Sequence, residues 1–353
     1  YKSNGESKKV MSQFQAFLNA GINMELIDII LDSRIHKILY RLPIFGVYPN
    51  ASRKRILSKI ADVDFIYIRK NIFDGSYYKL LKAIKKARPA ISIIVEIPTY
   101  PYFSEWFRPI DKPFIMKETH TLPKVQREQL VDYYTTLSDD DEIFGVETIR
   151  FNNCISINDY KPKQNVQSAD EIHLMGVALL ANWHGYDRVI KGMRNYYESN
   201  PGKTVVFHIV GEGTELPTLK RLVKKYNLDQ YVLFEGKLFG DTLDALYDRA
   251  HIGIGSLGLY RIGFESGNTL KSREYCARGL PFIMAGSDSV FDDFPYCLDF
   301  ENDNTPIDIG KVISFINEIN YDEVTESMRN YAQLKLSWDS YITDIINKIT
   351  NEG

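Results

Sequence analysis

Cysteine is scarce in this chain: three among 353 residues, Cys154, Cys276 and Cys297, far apart and without a CxxC pair. That excludes a disulfide framework and a cysteine zinc site, and fits a reducing compartment. No run approaches the roughly 18 consecutive apolar residues of a membrane span, so none is expected. The histidines outside the glycine-rich segments (His36, His120, His173, His208, His251) have no metal-ligand spacing, and His208 and His251, in or beside apolar strands, read as structural. Fixed-period repeats and low-complexity tracts are missing too. What is present is ordinary: 44% hydrophobic and 25% charged residues exclude disorder and fibrous repeats. The length favours two domains over one.

A large net charge is also missing, since 43 Lys plus Arg stand against 46 Asp plus Glu, a total of −3. The balance hides a gradient. Residues 1–168 hold 25 basic and 19 acidic positions (+6), and residues 169–353 hold 18 and 27 (−9). The first 90 residues alone carry 17 basic and 7 acidic positions. Such asymmetry is compatible with solvated lysines or with an anionic partner for one half.

The chain alternates strands and helices. Tyr1 to Ser7 has loop chemistry, and Val10, Phe14, Phe17 and Leu18 recur at helical spacing before Gly21. Met24–Ile30 reads as a strand. A glycine loop leading into a helix normally follows a strand, so a first strand is expected upstream of the sequence given. Strands are predicted at Asp64–Arg69, Ile91–Ile97, Val131–Thr136 and Thr148–Phe151, with a basic helix over 76–88. A polar stretch from Asn158 to Asp170 suits a linker. A second alternation follows: strands at Ile172–Leu180, Thr204–Val210, Val232–Phe234, Ile252–Ile254 and Phe282–Met284, helices at 186–198 and 215–226. Two doubly wound α/β units with parallel sheets are the simplest reading.

Two segments carry chemistry. Val210-Gly211-Glu212-Gly213 ends a strand and opens a helix, where glycines let backbone amides approach an anion. It is not the dinucleotide fingerprint, because Leu216 stands where the third glycine belongs. The second segment, Gly258 to Ile283, is a glycine-punctuated loop, a helix near Thr269 and a stop at Gly279-Leu280-Pro281. Lys271 and Glu274, three apart, share a helical face. A cation there can neutralise a diphosphate, and a carboxylate can accept from ribose hydroxyls; a surface ion pair is the plainer reading. Thr99 and Tyr100 follow a strand end, where ligands of such sheets collect, in a loop that Pro98 and Pro101 also stiffen. Lys79, Lys82, Lys85, Lys86 and Arg88 form a basic helix face, a candidate for an anionic membrane surface or a lipid pyrophosphate, or a plain amphipathic helix.

Glu274-Tyr275-Cys276-Ala277-Arg278-Gly279-Leu280-Pro281 resembles the E-A-M-A-x-G-x-P signature of retaining GT-B glycosyltransferases of the broad family 4 type. Ile209–Glu215, Tyr231–Gly236 and Leu246–Ala250 resemble, in order and spacing, that family's VGxGxE, V-x-F-x-G and LY-x-x-A landmarks. Asn153-Cys154-Ile155-Ser156 is similar to its NG-[IV]-D turn, and Asn4–Lys9 to its glycine loop after the first strand. The resemblance is strong over residues 170–300 and thin before them. Two departures stand out. Ser266 occupies the position eight before Glu274, with Glu265 one residue off. The usual Arg/Lys pair after the first donor-domain strand is missing, and Asn182-Trp183-His184 occupies that place, with His184 where the lysine is expected.

The resemblance implies a GT-B fold: two Rossmann-like domains facing a cleft, residues 1–165 on the acceptor side and 166–335 on the donor side. The helix of 336–353 would return to the N-terminal domain. It implies transfer of a sugar, with retention, from a nucleotide-diphosphate sugar to a glycan or lipid-linked acceptor, in bacterial surface polysaccharide synthesis. Lys271, Arg261 and Glu274 would be catalytic, with Arg188 a weaker cation. Gly211, Glu212, Gly213, Gly236, Lys237, Asn182, His184, Glu265, Asn268, Thr269 and Leu270 would line the donor site, and Gly5, Thr99 and Tyr100 the acceptor site. No cofactor, metal or nucleic acid is expected, and no Asp-x-Asp motif occurs in the donor half. The location implied is cytoplasmic, with peripheral contact at the inner membrane surface. A non-catalytic glycosyltransferase-like partner subunit and a nucleotide-sugar epimerase of the same fold are the alternatives.

Overall fold

Short apolar runs set between amphipathic helices give a layered α/β structure, because each buried strand must be covered on both faces. A computed structural model describes residues 5–27, 46, 50–70, 72–97, 100, 112–138, 140–150, 153–164, 171–199 and 202–351. Contacts divide the chain into two compact units, one of Gln13–Asn152 with Ile342–Gly353, the other of Tyr1–Ser12 with Asn153–Tyr341.

The first elements are α1 (Gly5–Asn19), α2 (Asn50–Leu57), β1 (Phe65–Arg69), α3 (Gly75–Ala87), β2 (Ser92–Ile97), α4 (Lys112–Arg127), β3 (Tyr133–Thr136), β4 (Glu142–Ile143) and β5 (Val146–Arg150). Their sheet has the order β1-β2-β3-β5-β4, parallel except for the β4–β5 pair. Asp74 caps α3 by accepting from the amides of Ser76 and Tyr77, and Tyr77, Leu80, Leu81 and Ile84 turn into the core. The opposite face is the expected basic one. There Lys82 pairs with Glu128 at 3.0 Å and Lys85 with Asp132 at 2.7 Å.

Two expectations change here. Gly5 to Ser7, read as loop, already belong to α1. Met24 to Ile27 lack strand pairing, and Asp28 to Ile30 lie outside the described residues.

The second set comprises β6 (Glu171–Val177), α5 (Tyr186–Glu198), β7 (Thr204–Val210), α6 (Leu216–Lys225), β8 (Val232–Gly236), α7 (Gly240–Arg249), β9 (Ile252–Ile254), α8 (Leu270–Arg278), β10 (Phe282–Ala285), β11 (Cys297–Phe300), α9 (Ile309–Glu318), α10 (Val324–Lys335) and α11 (Trp338–Asn351). All pairings of its sheet, ordered β11-β10-β9-β6-β7-β8, are parallel. Ile172, Leu174, Phe207 and Ile209 pack with Val189, Ile190 and Met193 of α5. Met175, Val210 and Phe282 pack with Tyr275, Cys276 and Ala277 of α8. None of the three cysteines is in a disulfide.

Around the expected boundary at residue 165, the polar stretch is tied down on its N-terminal side. The Lys163 amide donates to the Arg278 carbonyl at 2.8 Å and the Gln164 amide to Asp248 at 2.7 Å.

Candidate functional site

The order of the larger sheet creates a reversal. From β6 the chain runs to β7 and β8 on one side, then returns to β9, β10 and β11 on the other. Ligands of open parallel sheets sit at the carboxyl ends of the strands flanking such a reversal, here β6 and β9. The side chain at that point is Lys271, in the first turn of α8.

Glycines let the surrounding elements close in. A Cβ on Gly176 would lie 2.6 Å from the Tyr186 ring, and one on Gly253 2.7 Å from the Tyr275 ring. Gly185, at φ +65°, carries the chain from the 3₁₀ turn Asn182–His184 into α5, and its Cα faces the Leu257 backbone. Tyr275 then anchors α8 to the sheet by donating to the Ile254 carbonyl at 3.1 Å.

The Lys271 ammonium donates to His184 Nδ1 at 3.1 Å, to Tyr186 Oη at 3.1 Å and, more weakly, to the Gly255 carbonyl at 3.4 Å. It lies 5.0 Å from the centre of the Tyr186 ring. All three acceptors are uncharged, and among the described residues no carboxylate pairs with it. Burial therefore pushes its pKa down to about 7. His184 Nε2 lies 3.1 Å from the Leu179 carbonyl, which can only accept. The proton thus sits on Nε2, and Nδ1 offers its lone pair to Lys271. Burial, then the neighbouring Lys271 charge, lowers His184 to about 3, so it stays neutral.

The same loop reaches the glycine turn. The Leu180 amide donates to the Glu212 carbonyl at 2.8 Å, and the Glu215 amide to the Leu180 carbonyl at 3.1 Å. Gly211, at φ +122°, has its Cα so close to the Ala178 carbonyl that a Cβ would lie 1.9 Å from it. Gly213 lies equally close to Leu180. The Gly211 amide donates to the Gly236 carbonyl at 2.7 Å. Among the described residues the amides of Glu212, Gly213 and Thr214 donate to no protein acceptor.

Other expected residues lie in different settings. Arg261 has every N–H taken: Nε by Tyr260, Nη1 by the Asn182 carbonyl and Asp187, Nη2 by Asp187 and Asn304. It has no donor left for a phosphate in this arrangement, which corrects the pairing of Arg261 with Lys271 as ready cations. Arg188 is 1% exposed and holds the Thr305, Leu257 and Glu301 carbonyls and Asp303, a structural post. Glu274 shares the helix with Lys271 but turns to α7, accepting from Tyr247 at 3.0 Å and from Arg278 Nε at 3.1 Å. Lys237 pairs with Glu212 at 2.9 Å, both exposed. Asn268 accepts from the Asn153 amide at 2.9 Å and is held by the Asn153 side chain at 2.7 Å, joining two motif segments. Thr269 Oγ1 lies 3.1 Å from Ser272 Oγ, and Leu270 and Glu265 are exposed.

Gly5 opens α1, and on the other unit the Tyr100 ring packs edge-on against Phe144 at 5.7 Å. Thr99 lies outside the described residues. At the ends of β1 and β2 is a buried polar cluster. Glu96, fully buried, accepts from Gln13 at 3.0 Å, Tyr67 at 2.9 Å and Arg69, and Lys70 pairs with Glu118 at 2.9 Å.

Tyr186, Gly255 and Ser256, whose Oγ is 3.5 Å from His184 Nδ1, went unread in the sequence. Tyr186 lies 85 positions from Lys271, and nothing local marks the pair. Among the described residues no three His, Cys, Asp or Glu side chains group as metal ligands would, and no helix is long and apolar enough to cross a membrane.

No protein-family profile matches the chain, and no curated protein matches its sequence. Its fold does match solved structures. HepE of Anabaena in complex with UDP superposes with a TM-score of 0.57 at 13% identity, over 90% of this chain and 89% of that one. A glycosyltransferase from Rickettsia africae gives 0.56 at 12% identity, over 96% and 88%. The lipopolysaccharide outer core galactosyltransferase WaaB in its apo form gives 0.56 at 11% identity, over 99% and 97%. Likeness at such low identity speaks for architecture, and the architecture is that of GT-B glycosyltransferases, built on two parallel-sheet α/β units.

Proposed function

We propose that this chain is a glycosyltransferase that draws on a nucleotide-diphosphate sugar and transfers the sugar with retention to a glycan or lipid-linked acceptor. The observation that carries the reading is Lys271: a desolvated ammonium at the sheet reversal, held by three neutral acceptors and, among the described residues, lacking a carboxylate. A cation desolvated without a counter-ion is a site for an anion. The open amides of Glu212, Gly213 and Thr214, and the first turn of α8, add donors of the kind that receive phosphate oxygens. That HepE binds UDP, and UDP with glucose, supports a uridine diphosphate as the first candidate.

Departure of a nucleoside diphosphate develops negative charge on its oxygens, which Lys271 and these amides would stabilise without reorganising. Glu274, with Oε1 on Tyr247 and Arg278, would present its second oxygen to the ribose. Attack on the face from which the donor leaves preserves configuration and needs no covalent nucleophile. The acceptor side falls to the other unit, and a role in bacterial surface polysaccharide synthesis, in the cytoplasm at the membrane surface, is part of the proposal.

Lys271→Ala should lower transfer by about 10²–10³-fold, the usual cost of a lost oxyanion donor, with folding intact by circular dichroism. Undiminished turnover would sink the assignment. One observation favours a second reading, a non-catalytic partner subunit: Arg261, the other expected cation, is wholly committed to Asp187, Asn182, Asn304 and Tyr260. A thermal-shift panel of nucleoside diphosphates separates the two, since ligand binding raises apparent stability; no shift with any of them supports the partner subunit. Epimer formation from donor alone would instead identify the epimerase.

A further inference from the structure

The cage around Lys271 has a consequence beyond donor binding, and it rests on the reading of Lys271 as the diphosphate cation. Among the described residues, the groups that face the ammonium are neutral. The turn after β6 contributes His184, α5 contributes Tyr186, and the segment after β9 contributes the Gly255 carbonyl. The nearest charges along the same elements are engaged elsewhere. Asp187 is spent on Arg261 and Lys191, Arg188 on backbone carbonyls and Asp303, and Glu274 on Tyr247 and Arg278. Leu179 fixes the His184 tautomer, so the imidazole can only accept from Lys271.

We propose that His184 and Tyr186 are positioning residues that hold Lys271 for an incoming diphosphate, and that diphosphate binding is coupled to proton uptake by Lys271. With its pKa near 7, the unliganded lysine is about half protonated at neutral pH. An anion brought against it favours the charged form, so the missing proton is drawn from solvent as the ligand binds. No bond is made or broken, and buffer supplies the proton.

The experiment is calorimetric titration of the full chain with UDP, GDP and ADP at several pH values, in Tris and in HEPES, whose ionisation enthalpies differ. At pH 8 the terminal phosphate, with a pKa of about 6, is already ionised, so uptake reports the protein. Most of one proton is expected at pH 8, and about half at pH 7. Lys271→Arg should bind without uptake. His184→Leu removes an acceptor of the charged form and should move the uptake profile to lower pH, while His184→Asn, which keeps an acceptor near Nδ1, should restore it. A merely structural role for His184 would lower stability without moving that profile. Binding with no proton linkage, or the same uptake in Lys271→Arg, overturns the coupling while the anion site stands. Failure to bind any diphosphate overturns both.

Discussion

Replacing Lys271 by methionine keeps the length of the side chain and deletes its charge. Folding brings this amine from water, where its pKa is 10.5, to a setting where it is about 7. Because the folded value is the lower, the charged cage costs stability at every pH below 10.5; the cost grows as pH falls towards 7 and is constant below it. Linkage puts that cost at about 4–5 kcal/mol. The side chain is partly exposed, so water screens some of it, and methionine forfeits the hydrogen bonds to His184, Tyr186 and Gly255. A net gain of about 2 kcal/mol at pH 7 remains after these discounts. Urea denaturation of both proteins, at pH 7 and near pH 10, measures it. The variant should be more stable at pH 7, nearly indistinguishable near pH 10, and weak in binding diphosphates. Lower stability than the parent at pH 7 would refute the reasoning, as would a gain that persists unchanged at high pH.

Other outcomes follow from the same geometry. Gly211→Ala puts a Cβ 1.9 Å from the Ala178 carbonyl at φ +122° and should cost about 3–5 kcal/mol, read from the urea midpoint. Arg273 and Asp288 form a pair 0% and 3% exposed, with Nη2 donating to Oδ1 at 2.9 Å. Asp288→Ala strands the guanidinium and should cost about 3–5 kcal/mol, while Arg273→Met with Asp288→Leu should recover most of it; equal losses in the single and double variants would contradict this. The chain Glu235–His208–His173 spans three strands, at 2.7 Å and 3.0 Å. Burial, then the charges of Arg249 and the other histidines, pulls His173 down to about 4. The unfolded chain therefore takes up more protons below pH 6.5, and stability should fall as pH drops from 6.5 towards 4. His173→Gln should flatten that thermal-unfolding profile.

Most elements from Glu171 to Ala285 were legible because their apolar runs are short, β-branched and punctuated by glycine and proline, whereas α7 and β11 went unread. The helix expected over 186–198 spans Tyr186–Glu198, and the strand expected over 204–210 spans Thr204–Val210. Periodicity is a local property, and a buried parallel sheet leaves little choice of face. Gly5 was misread for the same reason, since its glycine loop and the first turn of α1 share a composition.

What the chain's own order of residues determined is therefore the α/β architecture, the glycine turn at 211–213 and a cation in the first turn of α8. It did not decide which cation is left without a carboxylate partner. Arg261 and Lys271 look equivalent on paper, yet Arg261 finds Asp187, 74 positions away, and spends every donor, while among the described residues Lys271 meets only neutral acceptors. That difference arises when β6 and β9 become neighbours and bring His184 and Gly255 together. Charge compensation depends on distances of a few ångströms in a poorly solvated crevice, and only the folded chain sets those.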